Sequence, residues 1–235
     1  MPQFFVNISD ISEGVVKIRG RDFHHLVNVR RAVPGDEIFI RTADGKGYET
    51  CIQSIQSDHL SAVIKKELPC ESGSTALRVF LCLLKGANFE LALQKCVESG
   101  VSEITPVVSE RTIPDIKGKV DRKNERWNKI ASEAAKQCLR RDVPAVNFPV
   151  DFKTAVTGLG SEVRILAHPG GATSLKTFLR GMSAPVSADL LIGPEGGFSM
   201  GEIKLAEETG WFIVSAGSTH LRGETATIAA VSPRR

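Results

Sequence analysis

The chain has 235 residues, of which 42% are hydrophobic and 24% are charged, and its formal net charge is +3. This length suits one large or two modest domains with a sizeable core. No apolar run approaches the roughly 20 residues that span a bilayer, and the first residues lack the pattern of a signal peptide. We therefore expect a cytoplasmic protein with no membrane partner. The mild positive charge permits an RNA partner without requiring one.

The cysteines are scattered along the chain and include no C-x-x-C pair; they are Cys51, Cys70, Cys82, Cys96 and Cys138. This spacing supports neither a zinc ribbon nor a disulfide framework. We expect small core residues in a reducing compartment, and no bound metal.

Short strands separated by turns predict a β-rich first domain over residues 1–70. Residues 37–41 alternate as a half-buried strand does, and residues 44–47 carry the glycines of a hairpin turn. The other elements predicted here are strands at 48–55 and 60–66 and a short helix at 22–31, with Asp22 as its cap. Many short strands with one helix suggest a small closed barrel, followed by a linker over residues 69–74.

Strands and helices alternate from residue 77 onward, which is typical of a mostly parallel α/β sheet and defines a second domain over residues 75–235. Strands are predicted at 79–84, 104–108, 145–148, 163–167, 190–192 and 212–215. A helix at 89–99 is expected to stop at Gly100. The clearest helix, at 121–139, carries an apolar stripe at helical spacing: Trp127, Ile130, Ala131, Ala134, Ala135, Cys138 and Leu139.

Three strands of this domain run into loops that contain glycine, at residues 167–171, 191–199 and 215–226. Loops at the carboxyl ends of parallel strands are where α/β sheets bind ligands, and glycine lets the backbone approach a ligand closely. None of these loops carries the fingerprint of a P-loop or a dinucleotide site. Ser199 and Glu202 predict a capping box after the second loop. Ordinary glycine turns and a structural His168 remain open alternatives.

Taken in order, motifs along nearly the whole chain resemble the 16S ribosomal RNA uridine-N3 methyltransferases of the SPOUT superfamily. The matching segments are His24-His25-Leu26, Leu84-Lys85-Gly86 with Glu90, Gln94-Lys95 with Glu98, Ser109-Glu110-Arg111, Glu125-Arg126-Trp127, Ile192 to Ser199, and Leu221-Arg222 with Glu224-Thr225-Ala226. Ala87-Asn88 departs from the family, where a charged pair is usual, and the chain ends soon after its last helix begins.

The resemblance implies a PUA-like RNA-binding β-barrel followed by a SPOUT α/β domain with a trefoil knot. It further implies S-adenosyl-L-methionine as cofactor, ribosomal RNA or the small ribosomal subunit as partner, and a homodimer. Arginine and glutamate side chains in and near these loops are candidates for catalysis. Arg222 and Arg111 would stabilise charge on the uracil oxygens, and Glu195, or alternatively Glu224, would accept the proton of N3.

The three loops are expected to hold the cofactor through backbone groups. The expected cofactor-binding residues are Ala167, His168, Pro169, Ile192, Gly193, Pro194, Glu195, Gly196, Gly197, Ser215, Gly217, Leu221, Arg222, Glu224, Thr225 and Ala226. The candidate phosphate contacts are Arg21, Arg30, Arg31, Lys85, Arg126 and Arg140, although solvated surface charge would explain the same clusters.

Three other functions fit parts of the sequence. An RNA-binding ribosome-assembly factor without methyl transfer would use the first domain equally well. A SPOUT enzyme that modifies another RNA site would share every motif. A nucleotide-binding oxidoreductase or hydrolase is disfavoured by the missing fingerprints.

Overall fold

The computed structural model describes residues 2–42, 44–69, 75–158, 160–183, 185–217 and 219–232. The chain divides into two compact units: residues 1–72 with 135–142, and residues 73–134 with 143–235. The first unit thus takes in a segment from far along the chain. The predicted linker at 69–74, together with Cys70, lies almost entirely outside the described residues.

The first unit is built on a six-stranded sheet. Its strands are β1 Gln3–Val6, β2 Ile11–Ser12, β3 Val15–Arg19, β4 Glu37–Thr42, β5 Gly47–Ile55 and β6 His59–Leu68. They pair in the order β1-β4-β5-β6-β3-β2, antiparallel except for β1 with β4. The predicted strands β4, β5 and β6 are confirmed, whereas β1 to β3 were not predicted. Among the described strands no ladder joins β1 to β2, so the pairing does not run around a closed barrel.

The helix predicted at 22–31 begins earlier than expected and changes its winding. The α-helix α1 spans Gly20–His24, and a π turn continues it over His25–Val29. Asp22 is therefore not the cap, which was the prediction, because Gly20, with φ +61°, turns the chain into the helix two residues sooner. The Asp22 carboxylate instead accepts a 2.7 Å hydrogen bond from Lys136 Nζ within the same unit.

The second unit contains a parallel sheet with a buried centre. Its strands are β7 Ala76–Cys82, β8 Glu103–Val108, β9 Ala145–Val146, β10 Val150–Asp151, β11 Val163–Ala167, β12 Thr173–Ser174, β13 Ser187–Ile192 and β14 Phe212–Ser215. They follow the order β10-β8-β7-β13-β11-β14-β12, with β9 paired to β8. The strand predicted at 145–148 is shorter than expected and corresponds to β9, whereas β10 was not predicted. Because all pairs are parallel, the carboxyl ends of β7, β13, β11 and β14 lie along one edge.

Helices connect these strands. They are α2 Asn88–Glu98, α3 Val120–Gln137, α4 Phe152–Thr157, α5 Leu175–Arg180, α6 Met200–Glu208 and α7 Gly223–Val231. The stripe predicted on α3 is buried at Trp127, Ala131, Ala134 and Ala135. Leu139 was wrongly included, because it lies beyond the end of α3 with a positive φ of +58° and is 45% exposed.

A buried ion pair joins β7 to β13 near their amino ends. Asp189, at 1% exposure, accepts hydrogen bonds from Arg78 Nε at 2.7 Å and Nη2 at 2.9 Å. The same carboxylate accepts from the Ser161 backbone N–H at 2.9 Å and hydroxyl at 2.7 Å. Full hydrogen bonding of this kind compensates the cost of burying a carboxylate. The pair therefore fixes the register of the two strands that carry the loops described next.

Across the described ranges, no helix is long and apolar enough to cross a membrane. The same residues contain no group of three or more His, Cys, Asp or Glu side chains that could hold a metal ion.

Candidate functional site

A cavity of about 620 Å³ lies at the carboxyl ends of β11, β13 and β14. This volume is in the range of small-molecule and cofactor sites. Its walls are formed by Arg111, Ala167, His168, Pro169, Gly170, Ile192, Gly193, Pro194, Glu195, Gly196, Gly197, Phe198, Ala216, Gly217, Thr219, His220, Leu221, Arg222, Gly223 and Ala226. All three glycine-containing loops therefore meet at one hollow within the second unit.

Most residues expected to bind a cofactor line this cavity, but Ser215, Glu224 and Thr225 do not. The sequence did not single out Phe198, Thr219 or His220 as wall residues. A phenylalanine after a glycine loop carries no sequence signal that separates a cavity wall from core packing, and Phe198 belongs to both. His220 lies inside a loop that was predicted, so its position along the chain was the available signal.

The loop after β13 depends on small residues at two points. Gly197 has φ +66°, and its N–H closes a turn onto the Pro194 carbonyl at 2.9 Å. A Cβ at Gly193 would lie 2.9 Å from the ring of Phe198, which is itself buried against Phe152 at a 5.4 Å centroid distance. The loop then enters α6 through the predicted capping box of Ser199 and Glu202, which is confirmed.

The loop after β11 is shaped by His168. Its backbone N–H donates to the Val214 carbonyl at 2.8 Å, and its Nδ1 accepts the Gly170 N–H at 3.0 Å. A Cβ at Gly171 would lie 2.4 Å from the backbone of Val214. Burial lowers the pKa of His168, and the nearby His220 lowers it further. The ring is therefore held neutral, with Nδ1 acting as an acceptor.

The segment after β14 crosses back to the end of β7. Arg222 is the N-terminal cap residue of α7 and is exposed at the cavity. A Cβ at Gly223 would lie 2.6 Å from Leu84, so α7 begins in close contact with the residues that follow β7. The Oε2 atom of Glu224 is buried and has no hydrogen-bond partner within the described residues.

Two further hydrogen bonds fix the cavity wall. The Lys85 N–H donates to Glu195 Oε1 at 2.8 Å. Arg111 Nη1 donates to the Gly196 carbonyl at 3.1 Å. The loop after β13 is therefore held by residues that follow both β7 and β8.

The candidate phosphate contacts differ in their surroundings. Arg21, Arg30, Arg31 and Lys85 are exposed. Arg126 Nε lies 2.7 Å from Glu90 Oε1, in an exposed ion pair. Arg140 is 11% exposed and pairs with Asp142 at 2.8 Å. Arg126 and Arg140 would each have to share the guanidinium with a carboxylate partner, or leave that partner, in order to contact RNA.

Comparison with known proteins identifies related sequences over both units. A family model described as "RNA methyltransferase domain" matches residues 71–233, and one described as "RNA methyltransferase PUA domain" matches residues 18–65. The chain is 32% identical to "Ribosomal RNA small subunit methyltransferase E 2" of Borreliella burgdorferi over 88% of this chain and 84% of the relative. It is also 32% identical to the methyltransferase E of Synechocystis sp. over 94% of this chain and 73% of the relative.

A solved structure resembles the whole chain. The ribosomal RNA small subunit methyltransferase E of Neisseria gonorrhoeae, bound to S-adenosyl methionine, superposes with a TM-score of 0.88 at 27% identity. The match covers 98% of this chain and 95% of that one.

Proposed function

We propose that this chain transfers a methyl group from S-adenosyl-L-methionine to N3 of a uridine in 16S ribosomal RNA. The chain belongs to the RNA methyltransferase family and, within it, to the ribosomal RNA small subunit methyltransferase E group. The observation that carries this proposal is the convergence of three strand-end loops on one cavity. The similar protein from Neisseria gonorrhoeae binds S-adenosyl methionine.

The cavity fits a nucleoside-bearing cofactor. Backbone N–H and C=O groups along residues 192–197, 216–217 and 219–221 can hydrogen-bond an adenine without charged side chains. Gly193 and Gly196 let the loop backbone pack directly against its neighbours, because Cβ atoms there would lie 2.9 Å from the Phe198 ring and 3.1 Å from Arg111 Cβ. The neutral His168 ring adds no positive charge that would repel a sulfonium.

When bound, S-adenosyl-L-methionine supplies an electrophilic methyl group that forms a bond to N3 as the carbon–sulfur bond breaks, and N3 gives up its proton. Arg222 and Arg111 line the cavity. Their guanidinium groups would donate hydrogen bonds to the uracil oxygens and stabilise the charge that develops as N3 loses its proton.

Of the two carboxylates considered as proton acceptor, we assign the role to Glu195. It lines the cavity, whereas Glu224 does not. Because Oε1 accepts the Lys85 N–H, the proton would pass to Oε2. Holding the uracil and the Glu195 carboxylate in one cavity also raises the rate of proton transfer through proximity.

The first unit would bind the RNA backbone. Arg21, Arg30 and Arg31 are exposed there, on α1 and just after the π turn. In the second unit Lys85 is exposed beside the cavity loops and serves the same purpose. The target uridine must leave its stack to reach the methyl group, which requires such a grip on flanking phosphates.

The two ends of the connection from β14 to α7 support the trefoil knot as part of the proposal. β14 lies beside β11, yet α7 starts against Leu84 after β7, on the far side of β13. A connection between these ends has to pass the ends of β11 and β13, as a chain tucked through the loop after β13 would do.

A homodimer and a cytoplasmic location complete the proposal. Leu91 on α2 and Ile228 on α7 are exposed apolar side chains on two helices that pack together. Exposed apolar side chains on neighbouring helices suit contact with a second copy. The cytoplasmic location follows from the proposed substrate, because ribosomal RNA is found where ribosomes are.

Calorimetry with S-adenosyl-L-methionine tests the cofactor assignment. We expect saturable one-site binding in the wild-type chain and much weaker binding when Gly193 carries a side chain. No binding at millimolar cofactor would contradict the proposal and favour an RNA-binding assembly factor.

A further inference from the structure

Glu202 is a nearly buried carboxylate that holds two loops at once. Its side chain lies in the first turn of α6, and the residue is 8% exposed. Oε1 accepts the backbone N–H of Glu110 at 2.8 Å, and Oε2 accepts the backbone N–H of Ser199 at 2.9 Å. A single side chain therefore links the turn after β8 to the loop after β13.

A capping box explains only half of this arrangement. The cap requires the bonds between Ser199 and Glu202, which lie within one element. The bond to Glu110 spans 92 positions in the sequence and contributes nothing to the cap. It gives a buried carboxylate oxygen a partner from another strand.

The turn that Glu202 holds is rigid in itself. The Ser109 N–H donates to Thr112 Oγ1 at 2.9 Å, and the Thr112 N–H donates to the Ser109 carbonyl at 3.0 Å. Glu110 lies between these two residues, so fixing its N–H fixes the whole turn. Arg111 follows immediately and points its guanidinium to the Gly196 carbonyl at 3.1 Å.

The two sides of this contact are closely fitted. A Cβ at Gly196 would lie 3.1 Å from Arg111 Cβ and 3.5 Å from the Arg111 carbonyl. A shift of the turn by about 1 Å would therefore either break the Arg111 hydrogen bond or push the turn into the loop. Shifts of that size can cost about 10²-fold in rate when the group concerned acts on a substrate.

We infer that Glu202 is a positioning residue for methyl transfer, which sets the distance between the Arg111 turn and the cofactor loop by accepting one backbone N–H from each. This inference rests on the proposed function. It predicts that Glu202 influences turnover through Arg111 rather than through the general stability of the fold.

The test is a double-mutant cycle of Glu202→Ala with Arg111→Ala, with Ser199→Ala as the matched control. Ser199→Ala removes the cap hydrogen bond that the Glu202 N–H donates to Ser199 Oγ, and leaves both carboxylate bonds in place. We expect Glu202→Ala to lower kcat by about 10- to 100-fold, and Ser199→Ala by less than about threefold at matched thermal stability. In the Arg111→Ala background, Glu202→Ala should have no further effect on kcat.

Amide hydrogen exchange supplies a readout that does not require activity. In Glu202→Ala the N–H groups of Glu110 and Ser199 should both exchange faster, while that of Thr112 stays protected by its own turn. Glu202→Gln can accept only one of the two N–H groups through its single amide oxygen, and should expose the other.

Independent effects of Glu202→Ala and Arg111→Ala on kcat would overturn the inference, as would unchanged exchange at Glu110. If the wild-type chain transfers no methyl group, the proposed function fails, and the exchange data still decide whether Glu202 holds the two loops.

Discussion

The backbone N–H of Lys85 donates a hydrogen bond to Glu195 Oε1 over 2.8 Å, which joins the residues after β7 to the loop after β13. The carboxylate thus has a structural partner on one oxygen while it lines the cavity. The hydrogen bond from Lys85 gives Glu195 a role in holding the loop. Its position in the cavity wall gives it a second, separate role as a proton acceptor.

Glu195→Gln should keep the loop in place, because an amide oxygen still accepts the Lys85 N–H. We expect cofactor affinity to change by less than about threefold and kcat to fall by about 10²- to 10⁴-fold, the usual contribution of a general base. Calorimetry and single-turnover methyl transfer measure the two quantities separately. Full turnover in Glu195→Gln would reduce Glu195 to a residue that only holds the loop.

Arg222→Ala should lower turnover more than cofactor affinity. Its guanidinium is exposed in the cavity and is assigned to the charge that develops on the uracil. Removal of one such donor typically costs about 10²- to 10³-fold in kcat. Arg180→Ala, at an exposed arginine on α5 outside the cavity, is the control and should have wild-type rates. Equal rates for the two variants would remove Arg222 from the mechanism.

Gly193→Ala should weaken cofactor binding by distorting the loop. The new Cβ would lie 2.9 Å from the Phe198 ring, which cannot retreat because it packs on Phe152 in the core. Overpacking of this kind costs about 1–3 kcal/mol, so we expect roughly tenfold or greater loss of affinity and a lower Tm. Gly201→Ala is the control, since its Cβ would meet only Ser199 Oγ at 3.9 Å. Wild-type affinity in Gly193→Ala would show that the loop adapts.

Acidification should weaken both the fold and cofactor binding through His168. Burial lowers the pKa of His168, with His220 contributing, so the unfolded chain takes up this proton at higher pH than the folded chain. The stabilisation is complete above the ordinary value of about 6.5 and is lost as pH falls through it towards the folded value. A protonated ring would also repel a sulfonium at the same site.

His168→Asn separates this effect from other titrations. Asparagine can accept the Gly170 N–H in an Asx turn but does not titrate. We expect the fall in Tm and in cofactor affinity between pH 7.5 and 5.5 to be smaller in this variant, with His220, Glu195, Arg111 and Arg222 unchanged in the cavity wall. An identical pH profile in the two proteins would rule out His168 as the titrating group.

The α/β sheet and the converging loops were predictable because their signals are local. Each of the strands β11, β13 and β14 is mostly apolar and is followed by a loop that contains glycine, and parallel pairing brings such strand ends to one edge. The capping box at Ser199 likewise depends on residues three apart.

Features set by distant contacts, and some local pairings and turns, were not predictable. The 92-residue separation between Glu110 and Glu202 leaves no periodic signal, and the local sequence predicts only a capping role for Glu202. The sequence predicts Arg140 as a phosphate contact, although Asp142 pairs with it and little of its side chain is exposed. The start of α1 was misplaced because the positive φ of Gly20 outweighs the capping preference of Asp22.

The most direct test of methyl transfer to uridine N3 uses ribosomal RNA from a strain that lacks this protein. The purified chain is incubated with that RNA and labelled S-adenosyl-L-methionine, and the RNA is digested to nucleosides. The account predicts label in N3-methyluridine from 16S RNA, and an initial rate of labelling about 10²- to 10³-fold lower when Arg222→Ala replaces the wild type at the same enzyme concentration. Label in another nucleoside, or none with the wild-type chain, would contradict it.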